Sequence, residues 1–91
     1  MKHAGQDALD RLEPLLREIR KRTALREKSR GTFYRSSRAF LHFHEHGLEF
    51  FADLKTGADF ERFAATSATD RKTLLRYVDA ALGDGTGAWL R

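Results

Sequence analysis

The chain has 91 residues, of which 33% are charged, a formal net charge of +4 and no cysteine. This length supports one hydrophobic core, and the lack of cysteine excludes disulfides and thiolate metal sites. No apolar run approaches the roughly 20 residues that cross a bilayer, and the N-terminus lacks the apolar centre of a secretion signal. We therefore expect one cytoplasmic domain over residues 1–91, without membrane contact.

The positive charge is concentrated in one part of the sequence. Residues 11–38 contain ten basic and three acidic side chains, a local charge of +7, whereas the rest of the chain carries −3. Such a region is typical of a surface that binds nucleic acid or another anion. It is more often a solvated face that promotes solubility, and we favour that interpretation.

An amphipathic helix is predicted over residues 7–22. Its apolar side chains recur at the three- and four-residue spacing of one helix face, namely at Leu9, Leu12, Leu16 and Ile19. Pro14 removes one backbone hydrogen bond, so we expect a local disturbance there. Residues 23–31 are then expected to form a basic connector that ends at Gly31.

The period of the apolar residues changes to two from Thr32 onward, which is typical of strands. Tight turns at residues 36–37, 46–47 and 56–57 divide this region into an antiparallel meander of four strands. The predicted strands comprise residues 32–35, 38–45, 48–54 and 59–63.

A second helix is predicted to begin at the Ser67 to Asp70 segment, which has the pattern of a capped helix start. Gly83 is a suitable C-terminal stop, and residues 83–91, which include Trp89, are expected to form a flexible tail. The predicted fold is α+β: an N-terminal helix, a four-stranded antiparallel meander and a C-terminal helix. Both helices are expected on the same face of the sheet.

A turn at residues 46–47 fixes a register for the two central strands. It places apolar side chains on an inner face that the helices cover, namely Leu41, Phe43, Leu48, Phe50, Ala52 and Leu54. The same register pairs His44 with Glu49 and His42 with Phe51 on the outer face. A turn at residues 36–37 adds two further pairs to the outer face, Phe33 with Phe40 and Arg35 with Arg38.

This outer face combines aromatic, basic and histidine side chains. The residues predicted to meet a partner are Phe33, Arg35, Arg38, Phe40, His42, His44, Phe51 and Arg62. Exposed rings on a sheet are costly in water, so we predict a small binding domain that self-associates as a homodimer through this face. Stacking of bases on the rings, with arginines at the phosphates, makes single-stranded nucleic acid the alternative partner. The sequence does not identify a small-molecule ligand.

The histidines offer a third interpretation. His42 and His44 project to the same side of a strand, and Glu49 opposite His44 completes a candidate set of metal ligands. Because no fourth ligand is evident, we predict neither a bound metal nor another cofactor. A metal-dependent enzyme, or one that uses His42 and Asp53 as an acid–base pair, ranks below a binding protein. No nucleophile motif or phosphate-binding loop is present, and no catalytic residue is assigned.

Residues 31–64 contain the pattern FYR…AFLHFHE…ADL…FERF. In this respect the chain resembles a small group of uncharacterised bacterial proteins, in which a similar pattern lies between two helices. The resemblance implies the order helix, strands, helix and brings no activity with it.

Overall fold

The computed structural model describes residues 1–83, so the predicted tail, apart from Gly83, lies outside the described residues together with Trp89. The described elements are, in chain order, β1 (Lys2–His3), α1 (Gln6–Arg20), β2 (Leu25–Ser29), β3 (Thr32–Arg35), β4 (Arg38–His46), β5 (Glu49–Lys55), β6 (Phe60–Ala64) and α2 (Ala68–Ala81). Neither helix in this part of the chain is long and apolar enough to cross a membrane.

The α+β class and the order of the two helices are confirmed, but the sheet has six strands instead of four. Strands β2 to β6 follow one another in an antiparallel sheet, and β1 pairs with β4. Strand β4 has nine residues and β3 has four, so β3 covers only part of one edge of β4. The remainder of that edge pairs with β1, where Lys2 lies opposite Glu45 and His3 opposite His44.

The two additional strands explain what the sequence patterns missed. Strand β2 falls within the predicted connector because its sequence, LREKS, is mostly charged. Charged residues are common on edge strands, where they discourage pairing with other chains. Strand β1 has only two residues, too few to show any alternation.

One hydrophobic cluster joins both helices to the inner face of the sheet. Its members in α1 and α2 are Ala8, Leu9, Leu12, Leu15, Leu16, Ile19, Leu74 and Val78. Its members in the strands are Phe33, Phe40, Leu41, Phe43, Phe50, Ala52 and Leu54. Leu12 and Leu16 of α1 and Leu41 of β4 have no solvent-exposed surface, so α1 packs directly on the centre of the sheet.

The predicted register of the central hairpin is wrong by two residues. The turn contains Gly47 and Leu48 instead of residues 46 and 47, because Gly47 adopts a left-handed conformation with φ of 61°. A shift of two residues preserves which side chains share a face, so the inner face is otherwise as expected. Leu48, predicted to be in the core, is 78% exposed in the turn.

A β-bulge changes the pairing between β3 and β4. Arg35 lies opposite Arg38 as predicted, but Phe33 lies opposite Leu41, and Phe40 has no partner of its own. As a result Phe33 and Phe40, both predicted on the outer face, are buried in the core, with 1% and 4% of their surface exposed. Because of the extra residue in β4, both rings face the helices. A strict alternation of side chains along the strands would have left them on the outer face.

Helix α2 begins as the sequence indicates. The Ser67 hydroxyl accepts a hydrogen bond from the Asp70 N–H at 3.0 Å, and the Asp70 carboxylate accepts one from the Ser67 N–H. These reciprocal bonds satisfy two N–H groups that have no partner within the helix. The helix ends before Gly83, whose φ of 76° favours glycine.

The β2–β3 hairpin packs closely on α1. Arg20 of α1 binds both Glu13 and Glu27, and the Glu27 carboxylate accepts a hydrogen bond from the Gly31 N–H at 2.8 Å. A β-carbon at Gly31 would lie 2.6 Å from Cδ2 of Leu9, and φ there is +82°. Glycine is therefore required in this turn for conformation and for space.

Truncation of two leucines tests this arrangement. We expect Leu41→Ala to lower the free energy of unfolding by about 2–5 kcal/mol, because it opens a cavity in the core. Leu48→Ala, which removes the same atoms from an exposed turn, should change it by less than about 0.5 kcal/mol. Urea denaturation followed by circular dichroism measures both values, and equal losses would contradict the register.

Candidate metal centre

The outer face of the sheet, opposite the helices, carries a cluster of three histidines and one aspartate. Alternation along β4 places His42 and His44 on this face, between the inward-facing Leu41 and Phe43. Pairing with β5 sets Asp53 directly opposite His42. We call His42, His44, Asp53 and the neighbouring His3 the histidine cluster.

The imidazoles of His42 and His44 both approach the same oxygen of Asp53. Nε2 of His44 lies 3.0 Å from Oδ2 of Asp53, and Nε2 of His42 lies 3.4 Å from the same oxygen. All three ligand atoms lie within 4.8 Å of one another. The side chains are largely withdrawn from solvent, with 23% of His42, 12% of His44 and 13% of Asp53 exposed.

Arg62 of β6 fixes the carboxylate of Asp53 from the other side. The two residues pair across β5 and β6, and the guanidinium donates from Nε to Oδ1 at 2.8 Å and from its terminal nitrogen to Oδ2 at 2.9 Å. This bidentate contact is the main reason that the pKa of Asp53 is lowered, in spite of partial burial that acts in the opposite direction. Asp53 is therefore an anion at neutral pH.

His42 is held in its neutral form. Partial burial is the largest cause that lowers its pKa below the ordinary value of 6.5, and the neighbouring His44 and His3 lower it further. The charge of Asp53 acts in the opposite direction but does not overcome the burial. Neutral imidazole is the form in which histidine coordinates metals.

His44 has the least satisfied nitrogen in this part of the molecule. Its Nε2 is buried and lies 3.0 Å from Oδ2 of Asp53, but it makes no hydrogen bond among the described residues. A buried polar atom without a partner costs about 1–3 kcal/mol of stability. The fold tolerates this cost at the position where three potential ligand atoms meet.

Two of the three distances among these ligand atoms match those around a small transition-metal ion. Ligands at about 2.1 Å from a tetrahedral ion are about 3.4 Å apart. The two histidine–carboxylate distances in the cluster, 3.0 and 3.4 Å, are close to that value. Two imidazole nitrogens and one carboxylate oxygen form the set that binds iron, zinc and related ions with coordination positions left open.

His3 extends the cluster from a third strand. Its ring stacks on that of His44 with centroids 4.7 Å apart and lies 5.9 Å from the ring of His42. The Ala4 N–H donates to the Phe43 carbonyl at 3.1 Å, which holds this short strand against β4. His3 was not predicted, and no signal in its own segment identifies it, because its position follows from the pairing of β1.

The structure divides the predicted partner-binding residues among three places. His42, His44, Phe51 and Arg62 share the outer face, whereas Phe33 and Phe40 lie in the core and Arg35 and Arg38 lie at the far end of the sheet. Glu49, the predicted third ligand, pairs with His46 instead of His44, so the register correction replaces it with Asp53. The sequence indicated Asp53 only as an acid–base partner of His42.

The basic side chains of residues 11–38 are less available to bind a partner than the sequence indicates. Five of its ten basic side chains lie within 4.0 Å of a carboxylate in the described part of the chain, namely Arg17, Arg20, Lys21, Arg22 and Arg30. Arg22, for example, binds Asp79 of α2 through two hydrogen bonds, at 2.8 and 3.0 Å. Much of this charge therefore connects elements of the fold.

Comparison with protein-family models, curated proteins and solved structures found no match to this chain.

The lowered pKa of His42 predicts a specific loss of stability in acid. The unfolded chain takes up a proton near pH 6.5 and the folded chain only at lower pH, so the free energy of unfolding should fall as the pH drops below 6.5. His42→Gln should reduce this dependence between pH 6.5 and the folded-state pKa. Urea denaturation over a pH series measures it.

The matched control for the acid experiment is His46→Gln, which removes an exposed histidine from the end of the same strand. This variant should retain the wild-type pH dependence. If His42→Gln and His46→Gln behaved alike, the proposed environment of His42 would be wrong.

Proposed function

We propose that this protein is a small metal-binding domain that holds one divalent transition-metal ion at His42, His44 and Asp53. The observation that carries the proposal is the convergence of two imidazole nitrogens on Oδ2 of Asp53, with Nε2 of His44 buried and without a hydrogen bond. An ion at this point would supply the partner that Nε2 lacks. At neutral pH Asp53 is ionised and His42 is neutral, the forms in which these groups coordinate a metal.

Arg62 supports the proposed site as an outer partner of the carboxylate. An ion on Oδ2 would replace the hydrogen bond from the terminal nitrogen of Arg62, while the bond from Nε to Oδ1 at 2.8 Å would keep the carboxylate oriented. Outer partners of this kind fix the orientation of metal ligands in many proteins.

Two imidazoles and one carboxylate leave coordination positions for water or another group. His3 is the nearest additional imidazole, with its ring 4.7 Å from that of His44. The mixed nitrogen and oxygen donors favour zinc, iron, nickel or copper over magnesium and calcium, which prefer oxygen ligands throughout.

Self-association through the outer face stays a prediction, as does binding of single-stranded nucleic acid. With Phe33 and Phe40 in the core, the predicted surface retains only one of the three rings on which self-association depended, Phe51. Phe60, which is 42% exposed and 5.2 Å from the ring of His42, is the other aromatic side chain near the cluster. Neither partner is supported by an observation as specific as the convergence at Asp53.

Metal binding should raise the thermal stability of the protein. At a free Zn²⁺ concentration about 100-fold above Kd, binding to the folded state adds about 2.7 kcal/mol, which corresponds to a rise of about 10 °C or more in Tm for a domain of this size. His44→Ala should abolish the rise. Calorimetry on metal-stripped, tag-free protein with Zn²⁺, Co²⁺ and Ni²⁺ measures it.

The matched control for metal binding is His46→Ala, which removes an exposed histidine of β4 outside the cluster and should keep the full rise. Visible absorption of bound Co²⁺ should show one ion per chain and disappear in Asp53→Asn. If none of the three ions stabilised the wild type, or if His46→Ala lost as much as His44→Ala, the proposal would be wrong.

A further inference from the structure

A second group of charges lies at the end of the sheet near the C-terminus of α2. Arg35 of β3 and Arg38 of β4 are directly paired across the turn at residues 36–37. Like charges in opposite positions on neighbouring strands destabilise a sheet. Within residues 1–83, no carboxylate lies within 4.0 Å of either guanidinium.

Helix α2 fixes the position of Arg35. The guanidinium donates to the carbonyl oxygens of Ala81 and Leu82 at 3.1 and 3.3 Å, and it has no anionic partner among residues 1–83. Arg38 makes no hydrogen bond or ion pair within the described part of the chain. Arg35 is thus held in one orientation, and the guanidinium of Arg38 can contact a ligand.

The two arginines line a cavity of about 290 Å³, near the lower end of the range found for small-molecule sites. Ala81 and Ala39 provide apolar surface together with the small exposed part of Phe40, and Thr56 lines the cavity from the β5–β6 turn. The Thr56 hydroxyl donates to Glu61 at 3.3 Å, and Nζ of Lys55 lies 5.6 Å from the centroid of the Phe60 ring. Lys55 also lines the cavity, but its Nζ lies beside the Phe60 ring, so the two arginines are the main cationic groups of the lining.

We propose that this cavity binds a small organic anion, a phosphate or carboxylate with an apolar group, whose oxygens contact Arg35 and Arg38. The planar guanidinium presents paired N–H donors that match two oxygens of such a group. The anion would also remove the repulsion between the two paired arginines. The apolar group would contact Phe40 and Ala81.

This site is independent of the proposed metal centre. Arg35 contacts α2, on the inner side of the sheet, whereas His42 and His44 lie on the outer face. Titrations on metal-free protein therefore test the anion site alone, and His44→Ala should bind the anion like the wild type.

Nuclear magnetic resonance titration of the ¹⁵N-labelled protein tests the anion site with phenyl phosphate, benzoate and inorganic phosphate. We expect phenyl phosphate or benzoate to shift the amide signals of residues 35–40 and 55–57. The probe that binds more tightly shows whether the site prefers a phosphate or a carboxylate. Inorganic phosphate should bind more weakly because it lacks the apolar group. Arg38→Gln should weaken binding by about tenfold or more, as expected for the loss of a charged hydrogen-bond donor.

The control variant is Arg26→Gln, which makes the same change of charge at an exposed position of β2 where the side chain does not line the cavity. This variant should retain the wild-type affinity. The proposal would be overturned if neither organic anion shifted these signals, if inorganic phosphate bound as tightly as phenyl phosphate, or if Arg26→Gln weakened binding as much as Arg38→Gln.

Discussion

The antiparallel pairing of β4 with β5 is the constraint on which the rest of this structure depends. Strand β4 presents Leu41 and Phe43 to the helices and His42 and His44 to the opposite side. A displacement by one residue would expose the leucine and phenylalanine and bury the imidazoles. Burial of the core therefore also keeps the histidines in position opposite Asp53.

The electrostatic design of the cluster follows from its position between solvent and sheet. Partial burial opposes protonation of His42, and the guanidinium of Arg62 keeps Asp53 ionised. These two effects act on neighbouring strands and place one anion beside the neutral imidazole of His42.

The sequence predicts those parts of the fold that depend on local chemistry. The apolar stripe of α1, the capping residues Ser67 and Asp70, and the alternation along β4 each identify their element. The patterns cannot predict a bulge, because one additional residue at Phe40 changes the direction of side chains without changing the composition.

The candidate site shows the same limit. His42 and His44 are evident as a pair because they belong to one strand, where the spacing is fixed by the backbone. Asp53 depends on where the turn places the next strand, and His3 depends on contact with a segment about 40 residues away. Such contacts between distant segments are determined by packing and by the length of β4, which no local pattern encodes.

The pairing of β1 with β4 has a practical consequence for fusion proteins. His3 lies beside His44, so any segment joined ahead of Met1 emerges next to the histidine cluster. A short flexible linker gives an attached group an effective concentration in the millimolar range. A polyhistidine tag at this end would therefore compete with the cluster for the same ions. A domain fused there would lie beside the outer face of the sheet.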